Sequence, residues 1–255
     1  MKKYEKEIFD YLDEERERLL TIYDYLADDS KINDKFMFEY YKKKSDRLQN
    51  CHKYHSCNVR LCPICDYLKN RKAGKNLKKI INYMPSSKFI FITLTIGNCL
   101  DEDLEDMLHL IFEAWNRLVG YKRIKNNITG WFRWLEVTYN EETQSYHPHF
   151  HIIACTHKNY FSDNSIYISK DDLQRFWKKA TRSDYKPSIQ ITKVYSKNVC
   201  NYVSRLKPRE YLFNDDISIS KQVIKTLDKV LFNCRVRAYG GIMKEMSKEL
   251  KEIKN

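Results

Sequence analysis

The stretch Tyr146-His147-Pro148-His149-Phe150-His151-Ile152-Ile153 constrains this chain more than any other. On an extended backbone, residues two apart point to the same face at roughly 6.5–7 Å, and adjacent residues point to opposite faces. His149 and His151 therefore share one side, while Phe150 and Ile152 face the other way into a core. The pattern asks for a strand with one apolar face and one face carrying polar ligands. His147 falls on the ligand side one step earlier, although Pro148 can turn the chain there.

A second strand precedes it. GWFRWLEVTY (130–139) and HPHFHIIACT (147–156) flank the polar loop NEETQSY, which predicts an antiparallel hairpin with a long connection. Glu136 sits between Leu135 and Val137, and an acid in an apolar strand needs a compensating partner. Two imidazoles and a carboxylate suit a divalent cation such as Mn²⁺ or Mg²⁺, with positions left open for phosphate oxygen and water. The plainer alternative makes these histidines surface or hydrogen-bonded core residues.

Around the hairpin the apolar spacing predicts further elements. Tyr4, Ile8, Tyr11, Leu12, Leu19, Ile22 and Leu26 space an amphipathic helix over 4–28. Residues 36–80 read as a compact, loop-rich module that runs into a basic helix over 68–84. KFIFITLTI (88–96) is a buried strand, and Leu104, Met107, Leu108, Ile111, Trp115 and Leu118 define a helix with acids in its first turn and Gly120 as its stop. Ser169 opens a capping-box-like start for a helix over 170–181. A strand over 188–194, helices over 196–206 and 220–232, the short strand RVRAY and a final charged helix follow. That order predicts an α+β fold, a central antiparallel sheet flanked by helices. The division expected is an N-terminal helical and cysteine-rich module over 1–84 and a sheet domain over 85–255.

Charge and cysteine usage narrow the class. Against 34 acids stand 46 Lys and Arg, a formal charge of +12, concentrated in 42–80 and 178–209. Such an asymmetric basic footprint favours a polyanionic partner, since phosphates neutralised by Lys or Arg release counterions; a merely solvated basic surface is the alternative. At 42% hydrophobic and 14% aromatic the chain is too apolar for a disordered tail, and six glycines without the required spacing exclude a P-loop or dinucleotide turn. It contains no apolar run long enough for a bilayer, and its charged start lacks a signal peptide's apolar stretch, so a cytoplasmic protein without membrane contact is expected.

Eight cysteines in such a compartment are not expected to pair as disulfides. Cys51, Cys57, Cys62 and Cys65 lie within fifteen residues, and Cys62-Pro63-Ile64-Cys65 makes a tight knuckle. The four suit a tetrahedral structural Zn²⁺ site, with His52 or His55 able to replace one thiolate. Zinc would let a short module fold without a core of its own and present Arg60, Lys69, Arg71 and Lys75 to DNA phosphates. Tyr202 lies mid-helix with Arg205 at i+3 and Lys207 nearby; a phenol needs such cations, and a polarised electrophile, to act as a nucleophile. Among 19 tyrosines, however, most serve packing.

Taken in order, Phe91-Ile92-Thr93-Leu94-Thr95, Glu136-Val137-Thr138 leading to His147-Pro148-His149-Phe150-His151, and Asn201-Tyr202-Val203-Ser204-Arg205 resemble the three motifs of plasmid rolling-circle replication initiators, members of the His-hydrophobic-His (HUH) endonuclease superfamily. The segment from Cys57 to Cys65 is similar to that family's Cys-x-x-Arg-x-Cys-Pro-x-Cys element, and Arg237-Ala238-Tyr239-Gly240-Gly241 resembles its closing arginine and paired glycines. The resemblance spans about 51–245. It implies a sheet-based nuclease in which Glu136, His149 and His151, with His147 beside them, hold the metal next to Tyr202. It also implies cleavage of one strand at an origin hairpin, a 5′-phosphotyrosyl link on Tyr202, a role for Arg205 at that step and a free 3′-OH for a host polymerase.

Two positions depart from the pattern, one of them Arg205, where Lys is more usual and the charge is preserved. Relatives often carry a Glu four residues before the tyrosine, where this chain has Asn198, so Glu210, another acid or a different nucleophile would have to serve the terminating cleavage. A mobilisation relaxase, a single-strand transposase and a non-catalytic zinc-dependent DNA-binding regulator are the competing readings. For residues 1–45, DNA contact, pairing into a homodimer and recruitment of a host helicase all stay open.

Overall fold

The structure is a computed structural model and describes residues 3–195, 202–203 and 209–252. The chain divides into two compact units, one of residues 1–73 and 203–234, the other of 74–202 and 235–255. The boundaries therefore differ from the contiguous division at 84/85. Late segments return to complete each unit, which a linear reading of composition cannot reveal.

The first unit is helical. Helix α1 (Lys3–Ser30) packs against α2 (Lys35–Gln49), and the later α7 (Ile217–Val230) packs on α1. Leu12, Leu19, Tyr23, Leu48, Val223, Ile224 and Leu227 are its buried core. Inside it Asp228, 2% exposed, accepts from Lys44 Nζ at 2.7 Å and from Tyr40 Oη at 3.0 Å, so its charge is compensated. Helix α2 occupies the first part of the module expected to be loop-rich. Asp34 caps it, accepting from the Met37 N–H at 3.0 Å, and Tyr41, Ser45 and Leu48 form its buried stripe. The Lys42-Lys43-Lys44 run between those positions obscures the stripe in the sequence. Helix α3 (Pro63–Asn82) begins earlier than the basic run suggests, because Pro63 is suited to a first helical position.

The second unit is built on a five-stranded, fully antiparallel sheet. Its strands are β1 (Lys88–Thr95), β2 (Ile128–Asn140), β3 (Ser145–Thr156), β4 (Ile189–Val194) and β5 (Arg237–Gly241), in the order β4-β1-β3-β2-β5. Helices α4 (Leu104–Gly120), α5 (Lys122–Asn127), α6 (Lys170–Thr181) and α8 (Ile242–Glu252) flank it. The α+β class expected from the element order is the one observed. One sheet face is apolar: Phe150 meets Phe112 and Trp115 of α4, and the Arg133 guanidinium lies 4.2 Å over the Phe150 ring. Helix α6 carries the expected capping box, with Ser169 and Asp172 exchanging hydrogen bonds.

The paired glycines hold β5 against β2. A side chain on Gly240 would fall 2.1 Å from the Trp131 indole, and Gly241 adopts φ +54 with the Thr129 carbonyl where a Cβ would stand. Among the described residues, no helix is long and apolar enough to cross a membrane.

Candidate active site

The sheet face opposite α4 carries the histidines. β2 and β3 pair with Glu136 opposite His149 and Trp134 opposite His151, and β1 lays Thr93 beside His151. Residues opposite one another in an antiparallel ladder share a face, so this register alone gathers Glu136, His149 and His151. Phe150 and Ile152, both fully buried, anchor the other side as the alternation requires.

The ligand atoms converge. His149 Nε2 and His151 Nε2 are 3.1 Å apart, His151 Nε2 lies 2.8 Å from Glu136 Oε2, and His149 Nε2 lies 3.6 Å from the same oxygen. Neighbouring ligands of a six-coordinate cation with bonds near 2.1 Å stand about 3.0 Å apart, so the three fit one face of such an ion and leave the opposite positions open. The distal ring nitrogens are also engaged. His149 Nδ1 donates to the His147 carbonyl at 3.1 Å, and His151 Nδ1 is 3.1 Å from Thr93 Oγ1. Donation from Nδ1 to a carbonyl leaves the Nε2 lone pair of neutral His149 free to ligate. Both imidazoles are only 11% exposed, which shields the site from competing water.

His147 does not join this group. Its Nδ1 is 2.7 Å from Asn98 Oδ1, and burial, with the neighbouring His149, lowers its pKa from the ordinary imidazole value. The three-histidine expectation is corrected to two histidines and Glu136, since the His147 ring is engaged by Asn98 and only the other three converge.

Tyr202 is helical and half-buried, and its ring stacks on Phe91 at 4.7 Å between centroids. Phe91 in turn stacks on the His151 ring at 5.5 Å, so a single aromatic ring separates the phenol from the ligand group. Arg205, Lys207 and Asn198 lie outside the described residues. Glu210 opens a short 3₁₀ turn (Glu210–Leu212) in the helical unit and is not part of the sheet's ligand group.

The helical unit holds the second group. Cys51 follows α2, Cys57 sits in the turn after the His52–His55 bridge, Cys62 precedes α3 and Cys65 lies in its first turn. Their sulfurs are separated by 3.5 Å (Cys51–Cys62), 3.6 Å (Cys51–Cys65) and 3.5 Å (Cys57–Cys65). Sulfurs on a tetrahedron with 2.3 Å bonds to zinc stand about 3.8 Å apart, close to this spacing. Hydrogen bonds among the four thiols lower the pKa of Cys65 and raise those of Cys57 and Cys62, so the group shares its protons. His52 and His55 are exposed and not part of the group. The four cysteines and the Glu136 group both fit a cation.

Of the basic residues expected to meet DNA, two are engaged internally. Arg60 donates to the carbonyls of Phe232 and Cys234, both at 3.3 Å, and Arg71 pairs with Glu5 at 3.4 Å. A guanidinium has five donors, so these contacts leave others available to a phosphate. Lys69 and Lys75 are exposed on α3, and Lys72 continues the same basic surface. Sequence reasoning missed the supporting Thr93 and Asn98 and the ring of Phe91. Thr93 was legible as an inward polar residue in an apolar strand, whereas Asn98 had no signal.

Fold and site together define a class: an α+β protein whose antiparallel sheet presents a two-histidine, one-carboxylate cation group close to a tyrosine. The family model described as replication protein matches residues 48–255. The chain is 32% identical to a Protein rep from Bacillus sp. over 253 residues, covering 83% of this chain and 82% of that one. A Protein rep from Bacillus amyloliquefaciens is 32% identical over 253 residues, covering 83% and 74%. A Staphylococcus aureus replication protein is 30% identical over 192 residues, covering 70% and 80%. No solved structure matches the chain significantly. This chain belongs to the replication protein family.

Proposed function

We propose that the protein initiates plasmid replication by nicking one DNA strand at the origin and transferring it to its own tyrosine. The observation that carries this reading is the convergence of Glu136, His149 and His151 one aromatic ring away from Tyr202, in a member of the replication protein family. The Tyr202 oxygen attacks the scissile phosphorus, the phenolic proton passes to solvent, and the P–O3′ bond breaks to leave a protonated 3′-OH. The cation, when bound, withdraws charge from a phosphate oxygen.

The residues of the chain do the rest. Glu136, His149 and His151 hold the cation, and Thr93 and the His147 carbonyl fix the imidazoles from behind. Phe91 gives the phenol ring a flat surface that limits its approach. The phosphotyrosine conserves the bond for later religation, and the 3′-OH primes a host polymerase. Arg205 would favour the phenolate, and helix α3 would offer Lys69 and Lys75 to DNA backbone phosphates. The setting is the bacterial cytoplasm.

Incubating the protein with labelled single-stranded origin oligonucleotides and Mn²⁺, followed by mass spectrometry of the covalent peptide, tests the reading. Tyr202→Phe is expected to bind DNA and form no adduct. An adduct on Tyr195 or Tyr211 would reassign the nucleophile, and DNA binding without any metal-dependent nick would favour a regulator.

A further inference from the structure

We propose that Arg237 contacts a phosphate of the cleaved strand beside the paired histidines, as a substrate-binding member of the same site. The inference deepens the nuclease reading and rests on it. It comes from the register of the whole sheet. One residue from each strand lines up in a single row: Gln190 of β4, Thr93 of β1, His151 of β3, Trp134 of β2 and Arg237 of β5. Opposed residues of antiparallel strands share a face, so Arg237 projects from the face that carries His151. The two stand two strands apart, about 10 Å at the usual strand spacing, and a long guanidinium stem closes much of that distance.

The charge distribution on this face gives the position its meaning. Within the five described strands and apart from the histidines, Glu136 and Arg237 are the only charged residues on this face. Glu136 is a cation ligand by geometry, whereas a guanidinium carries a positive charge and has no acceptor to offer a metal ion. A phosphodiester entering the site carries a negative charge, and the pentacovalent transition state adds more to its non-bridging oxygens. A planar guanidinium meets two such oxygens at once, which an ammonium does not.

The strand that delivers Arg237 is held rigidly. Gly240 and Gly241 press β5 onto Trp131 and Thr129, and the bond from the Leu135 N–H to the Val236 carbonyl, 2.8 Å, extends the pairing beyond β5. Continuing that register by one residue brings the exposed Arg235 alongside Glu136, which adds to the basic character of this edge.

The test uses the full chain carrying Tyr202→Phe, so that binding is read without cleavage, and single-stranded oligonucleotides that span the nick site mapped with the wild-type protein. In each oligonucleotide one phosphate is replaced by a neutral methylphosphonate. With Mn²⁺ present, neutralising the contacted phosphate should weaken binding about 10-fold. Adding Arg237→Ala should weaken binding to the natural strand by a similar factor and abolish sensitivity at that phosphate alone. Arg237→Lys should recover only part of the loss. Mn²⁺ affinity and the melting temperature should match the parent in both variants. Overturning results are full methylphosphonate sensitivity retained in Arg237→Ala, or a loss of affinity that tracks lost Mn²⁺ binding or lost fold. Failure of the parent reading looks different: wild-type protein would form no phosphotyrosine adduct with any origin strand.

Discussion

The two cation-fitting groups are built on opposite plans. Cys51, Cys57, Cys62 and Cys65 come from fifteen consecutive residues, are all buried, and offer four soft ligands that fill a tetrahedron. Glu136, His149 and His151 come from two strands, meet only through register, and offer three ligands that leave half an octahedron open. A closed shell serves folding, whereas an open one admits a phosphate oxygen. On the function proposed above, the number of ligands, more than their presence, would separate a structural centre from a chemical one.

The largest effect that could break this comparison lies at the cysteines. Cys62→Ser should lower zinc content well below one equivalent and cost on the order of 5 kcal/mol of stability, as measured by elemental analysis and denaturant melts. The Mn²⁺ affinity of the sheet site should stay at the wild-type value. Full stability without zinc would show that the cluster is not a folding centre.

His151→Ala should do the reverse. Nicking should fall more than about 100-fold, beyond what loss of a supporting partner costs, with little change in the melting temperature. Brief EDTA treatment should likewise stop nicking reversibly while circular dichroism stays constant. Activity that survives both would remove the open-shell reading.

Thr93→Val sharpens the contrast further, because it probes the partner behind a histidine of the open group alone. Loss of the hydroxyl 3.1 Å from His151 Nδ1 should weaken Mn²⁺ binding roughly 10-fold by titration calorimetry, and Thr93→Ser should restore it. Gly240→Ala tests packing away from both groups. Crowding the Trp131 indole should cost about 1–3 kcal/mol without altering zinc content.

Much of the molecule was legible in the residue order. The strand alternation of 147–153, the capping box at Ser169, the α4 stripe and the cysteine knuckle each depend on interactions within a few residues, and each was read correctly. Helix α2 was missed because a lysine run hides its buried stripe. His147 was over-read because strand parity places it on the right face but says nothing about reach. The internal partners of Arg60 and Arg71 were not legible, because charge in a sequence carries no record of its partners.

The sequence by itself determined the ligand types, the face on which each lies and the closed character of the cysteine centre, since these follow from side-chain chemistry and the two-residue repeat of a strand. Only the tertiary structure decided which carboxylate meets which imidazoles, that Thr93 stands behind His151, and that Arg237 shares their row. Those facts belong to strand order and register, which are set by packing between residues far apart in the chain.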